Sequence, residues 1–499
     1  MLRIKFSGGK QFSSPKSPTS CSCNTLAVII QKIRMKKILF LLISFLLTNL
    51  LFAQTENYKV AIDNFHLNYN AEKYEEIFND FSIEMKQALP LEQTVEFLKG
   101  LKNQVGKIEN KEFITYQQET YATYKTKFEK MVLAVNISVD NENRINGLFI
   151  NPYNEPTKTT NNNINLLNNY PKKISEIIFS KAKDFPNNTQ LSIAIIQNGK
   201  TNYYGVINLN DTIKPIENQN KVFEIGSITK VFTSTVLASL VEEGKIKLTD
   251  KINSYYSFPF KDNINLNFKD LANHTSGLPR LPENLDLSNE TNPYKSYGKT
   301  QIEEYLKNFL KLENAKTYSY SNLGTGLLGY TLGLTQKMSF QKLLQNKVFD
   351  KYKMKNSFVS TKNLNDNLVK GQNPNGEITP NWDWDVLFGA GGILSTTEDL
   401  VKFAEAQFNP KNKELTLTRT PTSDINENMK IGLGWHLLKS KSGKDLIWHN
   451  GGTGGYSSSM TLNTNDKTAV IILSNLSAFH PKMRNIDGLC FELINEMEK

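Results

Sequence analysis

The chain is poor in the residues that staple a protein or hold a metal. It has three cysteines in 499 residues, and two of them, Cys21 and Cys23, fall in a leader described below. Cys490 is left alone, so an intrachain disulfide framework is excluded. No cysteine directly follows the leader to carry a lipid. The five histidines and that one cysteine offer no ligand cluster, so neither a metal nor any other cofactor is expected. A net charge of one sign is missing too. The formal +10 owes most of its size to Met1–Ala53, which holds eight Lys or Arg and no Asp or Glu. The remainder carries a net of +2, which gives no reason to expect a nucleic-acid partner. Long apolar runs are nearly absent. The one that stands out, Ile38 to Leu47, is short for a membrane span.

That run follows Met35-Lys36-Lys37 and ends near Leu51-Phe52-Ala53, the layout of a positive region, an apolar region and a small-residue cleavage site. Residues 35–53 are therefore expected to be a signal peptide, and 1–34 an upstream extension. The protein is expected to be exported, periplasmic or secreted, with no stable membrane insertion after cleavage. An uncleaved anchor is the alternative.

Residues 56–152 read as helices followed by strands. Leu91, Val95 and Leu98 share a helical stripe closed by Gly100 and Gly106, and Glu112–Tyr116, Val132–Val139 and Ile145–Ile150 are strand-forming runs. Asp140-Asn141-Glu142-Asn143 makes the turn between the last two. The expectation is a small α+β domain. It holds one histidine, His66, read as a helix-face residue. An asparagine-dominated stretch follows, and 153–169 reads as a linker.

The second domain, expected over 170–499, is organised around Ser227-Ile228-Thr229-Lys230. Ser-x-x-Lys occurs six times in the chain, but only this copy opens a long apolar helix, Val231 to Val241. Three residues apart on a helix, Ser227 and Lys230 share a face. A serine hydroxyl needs a base to become a nucleophile, and a desolvated lysine is one. The backbone N–H of Ser227 at a helix start can also help hold an oxyanion. An N-cap serine is the competing reading. Tyr320-Ser321-Asn322 is the one Tyr-x-Asn among twenty tyrosines. Tyr320 can carry a proton to a leaving group, and Asn322 can brace Lys230 or donate to a substrate carbonyl. A buried, satisfied tyrosine is the alternative. His274 reads as bracing a loop by a hydrogen bond. The glycines of 389–392 lack the Gly-Lys-Ser/Thr ending of a phosphate loop and read as close backbone packing. Trp448-His449-Asn450-Gly451-Gly452 is a strand ending in glycines, which can press its backbone against a ligand.

With Ser-x-x-Lys, Tyr-x-Asn and His-x-Gly in this order, joined by Phe223-Glu224-Ile225-Gly226, His274-Thr275-Ser276-Gly277-Leu278, Gly391-Gly392-Ile393 and Gly432-Leu433-Gly434-Trp435, the region from Pro171 onward resembles the penicillin-recognising serine hydrolases. The resemblance is especially to the class C β-lactamase branch, with its DD-peptidases and esterases. Residues 56–152 more loosely resemble the cone-shaped accessory domains found ahead of some exported hydrolases. The resemblance implies a serine β-lactamase-like α/β (α+β) fold: an antiparallel sheet flanked by helices, with a helical subdomain. It implies Ser227 as nucleophile, Lys230 as base and Tyr320 as proton carrier, with the N–H groups of Ser227 and Gly452 as oxyanion hole. Asn322, His449, Gly451 and Gly452 would bind substrate. His449 stands where class C enzymes carry the lysine of Lys-Thr-Gly, so a charged imidazole would meet a substrate carboxylate. The implied partner is a small molecule or cell-wall peptide. An esterase, or a cell-wall peptide binder without turnover, remains open.

Overall fold

The computed structural model describes residues 57–498 apart from 118–120, 154–162, 287–288, 290 and 314. The expected extension and signal, 1–53, lie outside the described residues. Among the described residues no helix is long and apolar enough to cross a membrane. The chain divides into two units, Met1–Thr157 and Lys158–Lys499.

In the first unit, helices cover an antiparallel sheet of strands β1 (Ile108–Gln117), β2 (Tyr121–Phe128), β3 (Val132–Val139) and β4 (Ile145–Pro152), in that order. Phe65 and Tyr69, four apart on the helix 57–70, stack at 5.8 Å, and Phe128 of β2 meets Tyr69 edge-on. The helix Leu91–Val105 runs straight through Gly100 and stops at Gly106, whose φ of 82° ends it. Gly100 is thus no terminator. Leu98 is sealed, whereas Leu91 is exposed. The Asp140 carboxylate accepts the N–H groups of Glu142 and Arg144, fixing the β3–β4 turn. His66 lies on the helix face, with Nε2 3.1 Å from the Ile108 carbonyl.

The second unit begins upstream of residue 170. Part of the stretch expected to be linker forms β5 (Ile164–Asn165), which pairs in parallel with β8 (Thr212–Ile216). Leu167 is fully buried. Between these come β6 (Gln190–Gln197) and β7 (Lys200–Asn208), joined by Asn198 and Gly199, both at positive φ as a tight hairpin requires. A two-strand pair of β9 (Phe223–Glu224) and β10 (Leu394–Ser395) brackets the helical subdomain. The chain then returns through β11 (Ser423–Asn426), β12 (Met429–Ile431), β13 (His436–Lys439), β14 (Asp445–Gly452), β15 (Ser457–Asn463) and β16 (Thr468–Ser474). Strand order is β11-β12-β13-β14-β15-β16-β6-β7-β8-β5.

This sheet is covered on both faces, and period-two alternation sorts its side chains. Ala194, Ile196, Ala469, Ile471 and Leu473 face the core built on the helix Thr229–Glu242. Ile193, Ile195, Val470 and Ile472 face the helices Lys172–Ala182 and Arg484–Met497. The latter helix buries Ile486, Leu489, Cys490, Leu493 and Ile494, spaced three and one apart as one face demands. Strands β15 and β16 are buried throughout. Thr229–Glu242 is buried nearly all round, with Phe232 stacked on Phe403 at 4.3 Å. A helix so enclosed cannot move without opening the core, so whatever its first turn carries is held rigidly.

Candidate active site

Ser227 lies on a single 3-10 turn, Gly226–Ile228, that feeds this enclosed helix. The turn is pressed against the end of β14. Strand β13 pairs with β14 only as far as Trp448, so His449–Gly452 present an edge free of that neighbour. A Cβ on Gly226 (φ 51°) would collide with the Gly452 amide nitrogen, and one on Gly451 with the Ile225 carbonyl, leaving it 2.9 Å from Ser227 N. Glycine at both positions lets the two backbones touch. Ser458 Oγ donates to the Ile225 carbonyl at 2.8 Å, tying β15 to the same turn.

Lys230 is fully buried. Its Nζ lies 2.9 Å from Ser227 Oγ, 2.9 Å from Asn322 Oδ1 and 2.8 Å from the Ala390 carbonyl. None of these is a carboxylate. Burial, helped by the positive charge of Arg280, holds its pKa well below the ordinary lysine range. A neutral amine satisfies this geometry: its two N–H bonds go to Asn322 and Ala390, and its lone pair takes the Ser227 O–H. The glycine-flanked 3-10 turn Phe388–Ala390 does pack closely, Gly389 against the Thr325 carbonyl, and it also supplies the Ala390 carbonyl to Lys230.

Tyr320 and Asn322 arrive together because Ser321 caps the helix Asn322–Thr335, its Oγ accepting from Gly324 N–H. Lys230 Nζ sits 4.8 Å from the Tyr320 ring centroid. Burial keeps the Tyr320 phenol above its ordinary pKa, against a hydrogen bond with Ser227 that pulls it down. Tyr320 is therefore a neutral O–H at physiological pH. Asn322 splits its amide: Oδ1 receives Lys230 and Nδ2 donates to Tyr294 Oη at 3.2 Å. Tyr294 is stacked on Trp384 at 4.1 Å.

Three histidines gather beneath this group. His274 takes a φ of 61° and accepts the Ser321 N–H on Nδ1 at 3.2 Å, with its ring 4.5 Å from Tyr320. His436 lies 3.0 Å from the Tyr318 hydroxyl and 5.2 Å, ring to ring, from His449. Burial pushes the His436 pKa down to about 4.

His449 differs from the expectation. Its ring is fully buried, its Nδ1–H donates to the Asn450 carbonyl at 2.6 Å, and burial beside His436 and Lys230 holds it well below 6.5. It is neutral where a carboxylate-binding cation was expected. Asn450 points to the other face of β14, where its Nδ2 donates to Asp487 at 2.8 Å. The fold thus brings Ser227, Lys230, Tyr320, Asn322, Gly451 and Gly452 together, with His449 enclosed behind Tyr320. The sequence reading missed Tyr294, His436, Arg280 and the Ala390 carbonyl. Arg280 alone left a trace, as the residue after His274-Thr275-Ser276-Gly277-Leu278-Pro279.

A sheet flanked by helices, with a lysine-paired serine at the start of a buried helix, defines the serine β-lactamase-like class. The family described as Beta-lactamase matches residues 184–489, more than half of the chain, and the chain belongs to that family. Residues 63–148 match a family of proteins of unknown function, DUF3887. A beta-lactamase of Pseudomonas fluorescens is 30% identical over 259 residues, 50% of this chain and 69% of that protein. Protein flp of Staphylococcus aureus (strain N315) is 25% identical over 326 residues, 61% of this chain and 63% of its own length. The chain therefore spans less than two thirds of protein flp. Among solved structures, the beta-lactamase/D-alanine carboxypeptidase of Pseudomonas syringae superposes with a TM-score of 0.54 at 21% identity, over 64% of this chain and 98% of that one. A class C beta-lactamase of Rhodobacter sphaeroides does so at 0.54 and 16%, over 65% and 99%. At these identities the likeness is one of fold.

Proposed function

We propose that the protein is an exported serine hydrolase that works through an acyl-enzyme on an amide or ester, of the DD-peptidase or β-lactamase-related kind. The observation that carries this reading is the 2.9 Å approach of a buried Lys230 Nζ, without a carboxylate partner, to Ser227 Oγ. Ser227 Oγ bonds to the carbonyl carbon as its proton passes to Lys230. The carbonyl electrons move to oxygen, where the N–H groups of Ser227 and Gly452 receive them. When the tetrahedral adduct collapses, the bond to the leaving nitrogen or oxygen breaks. Tyr320 gives that atom a proton while recovering one from Lys230. Water then repeats the sequence and frees the acid. The substrate is a small molecule or a cell-wall peptide, met outside the cytoplasm after the 35–53 signal is removed.

A carboxylesterase uses the same groups, and the neutral His449 favours it among family activities that do not need a cation on this strand. A binder without turnover has no use for a deprotonated lysine. The test is direct. A fluorophosphonate or a penicillin should add its mass to the Ser227 peptide, and Ser227→Ala should prevent it. Labelling at Ser180, Ser296 or Ser339 instead sinks the assignment. Turnover assays on a peptide, an ester and a β-lactam then rank the substrate classes.

A further inference from the structure

Besides His274, which is buried and holds the Ser321 N–H, the site has three basic side chains close to Tyr320, and two of them are withdrawn from any substrate. Lys230 is sealed and fully used in hydrogen bonds. His449 is sealed behind Tyr320. Arg280 is exposed. It belongs to the loop that His274 opens, and its backbone is pinned, because its carbonyl accepts the N–H groups of Asn322 at 3.0 Å and Leu323 at 3.1 Å. The guanidinium carbon stands 5.3 Å from the Tyr320 ring centroid, and Lys230 Nζ addresses the same ring from 4.8 Å. No carboxylate among the described residues pairs with Arg280. Its charge acts inward all the same, being felt at Lys230 and at His274.

A guanidinium is a rigid fork of donors that fits a carboxylate with two parallel hydrogen bonds. With a fixed backbone, an aromatic ring to lie against and no acid of its own among the described residues, the fork is ready for an incoming one. We infer that Arg280 is an anion subsite on the loop side of Tyr320, separate from strand β14, and that substrates acylating Ser227 carry a carboxylate which Arg280 grips. The inference rests on the hydrolase reading for the word substrate, and its test does not depend on turnover.

Ser227→Ala removes the chemistry and keeps the subsite. Isothermal titration of this protein with two matched pairs reads the charge preference: N-acetyl-D-alanyl-D-alanine against its C-terminal amide, and N-succinyl-alanine amide against N-butanoyl-alanine amide. In at least one pair the acid should bind about tenfold tighter or more than the neutral ligand, the range of a charge-assisted contact. Adding Arg280→Gln should bring that pair within about twofold, and Arg280→Lys should retain part of the preference. An exposed side chain makes both changes safe for folding, and equal melting temperatures check this. Acid and neutral ligands binding alike in both pairs, or not at all, overturns the inference, as does a preference that survives Arg280→Gln. Fluorophosphonate labelling of the unsubstituted protein is read separately. Its absence would sink the hydrolase reading and leave the charge preference standing.

Discussion

One lysine and one carboxylate from each unit show two opposite ways of handling a charged side chain. In the first, Lys102 gives its ammonium to the carbonyls of Tyr69 and Asn70 and to the Glu72 carboxylate at 3.1 Å. In the second, Lys230 also meets a carbonyl and an amide oxygen, yet it has no carboxylate and is sealed from water. The carboxylates diverge likewise. Burial alone would raise the pKa of Asp63, but hydrogen bonds from Lys111 and Lys59 outweigh it and leave it lowered. Burial raises Glu224, three residues before Ser227, to about 7, despite hydrogen bonds from Asn381 and Trp382. Pairing with an opposite charge at a wet surface favours the charged form, whereas enclosure without an opposite charge disfavours it. Only the second arrangement prepares a base, and perturbed groups gathered in one place are what a reactive site requires.

Substituting the two lysines gives the largest contrast. Lys230→Ala should slow acylation by ~10²-fold or more, as the loss of a general base does. Lys102→Ala should leave it within about twofold. The pH profile sharpens this. Lys230 acts only when deprotonated and its pKa lies below the lysine norm, so acylation should rise with pH through that depressed value and level off well below 10.5. A profile still climbing at pH 10 means that Lys230 is charged at rest and is not the base.

His274 comes next. Its φ of 61° suits asparagine far better than alanine, and an asparagine oxygen can still accept the Ser321 N–H. His274→Ala should cost ~1–3 kcal/mol of stability, from a lost hydrogen bond and left-handed strain. His274→Asn should cost less than about 1 kcal/mol. Equal losses, read from denaturant midpoints, would show that neither φ nor the bond to Ser321 matters.

Glu224 and Asp63 should differ in sign. A carboxyl whose folded pKa is raised binds more protons folded than unfolded, so stability falls as pH climbs from 4.5 to about 7. Glu224→Gln should therefore gain on the parent across that window. Asp63 is lowered, so its contribution is present at neutral pH and lost as the solution is acidified past 3.8 and below. Asp63→Asn should approach the parent only in acid. Melting curves of both variants from pH 3 to 8 decide it.

What the sequence discloses follows range of interaction. Ser227 and Lys230 meet through three residues of one helix, and Asn198-Gly199 turns its hairpin through two, so both are legible without a fold. The β7 and β16 runs are rich enough in strand-forming residues to be read. Strand β8 carries Pro215, and β11 with Ser423–Asn426 is mostly polar, so neither resembles a strand until its neighbours are in place. Tyr294 and His436 reach the site only through the tertiary fold and carry no local mark. The charge of His449 is hidden for a related reason. Its position on the strand is written in the motif, but its charge is set by burial beside His436, thirteen residues away.

The smallest effect on chemistry is expected from removing the first unit, and here the structure changes where to cut. No group among Ser227, Lys230, Tyr320, Asn322 and Gly452 comes from residues before 158, so a shortened chain should hydrolyse a small ester at about the parental rate. A cut just before Tyr170, where the sequence places the end of the linker, falls inside the second unit: Ile164–Asn165 pairs with β8 and Leu167 is fully buried. Losing Leu167 alone withdraws ~1.5–3 kcal/mol of apolar burial. A chain starting at Asn163 should therefore melt with the parent's second transition, and one starting at Tyr170 several degrees lower, with turnover per folded molecule unchanged in both. If the chain from Asn163 is folded and soluble yet inactive, the first unit does supply part of the site, and the contrast between a paired Lys102 and an enclosed Lys230 does not describe how this protein works.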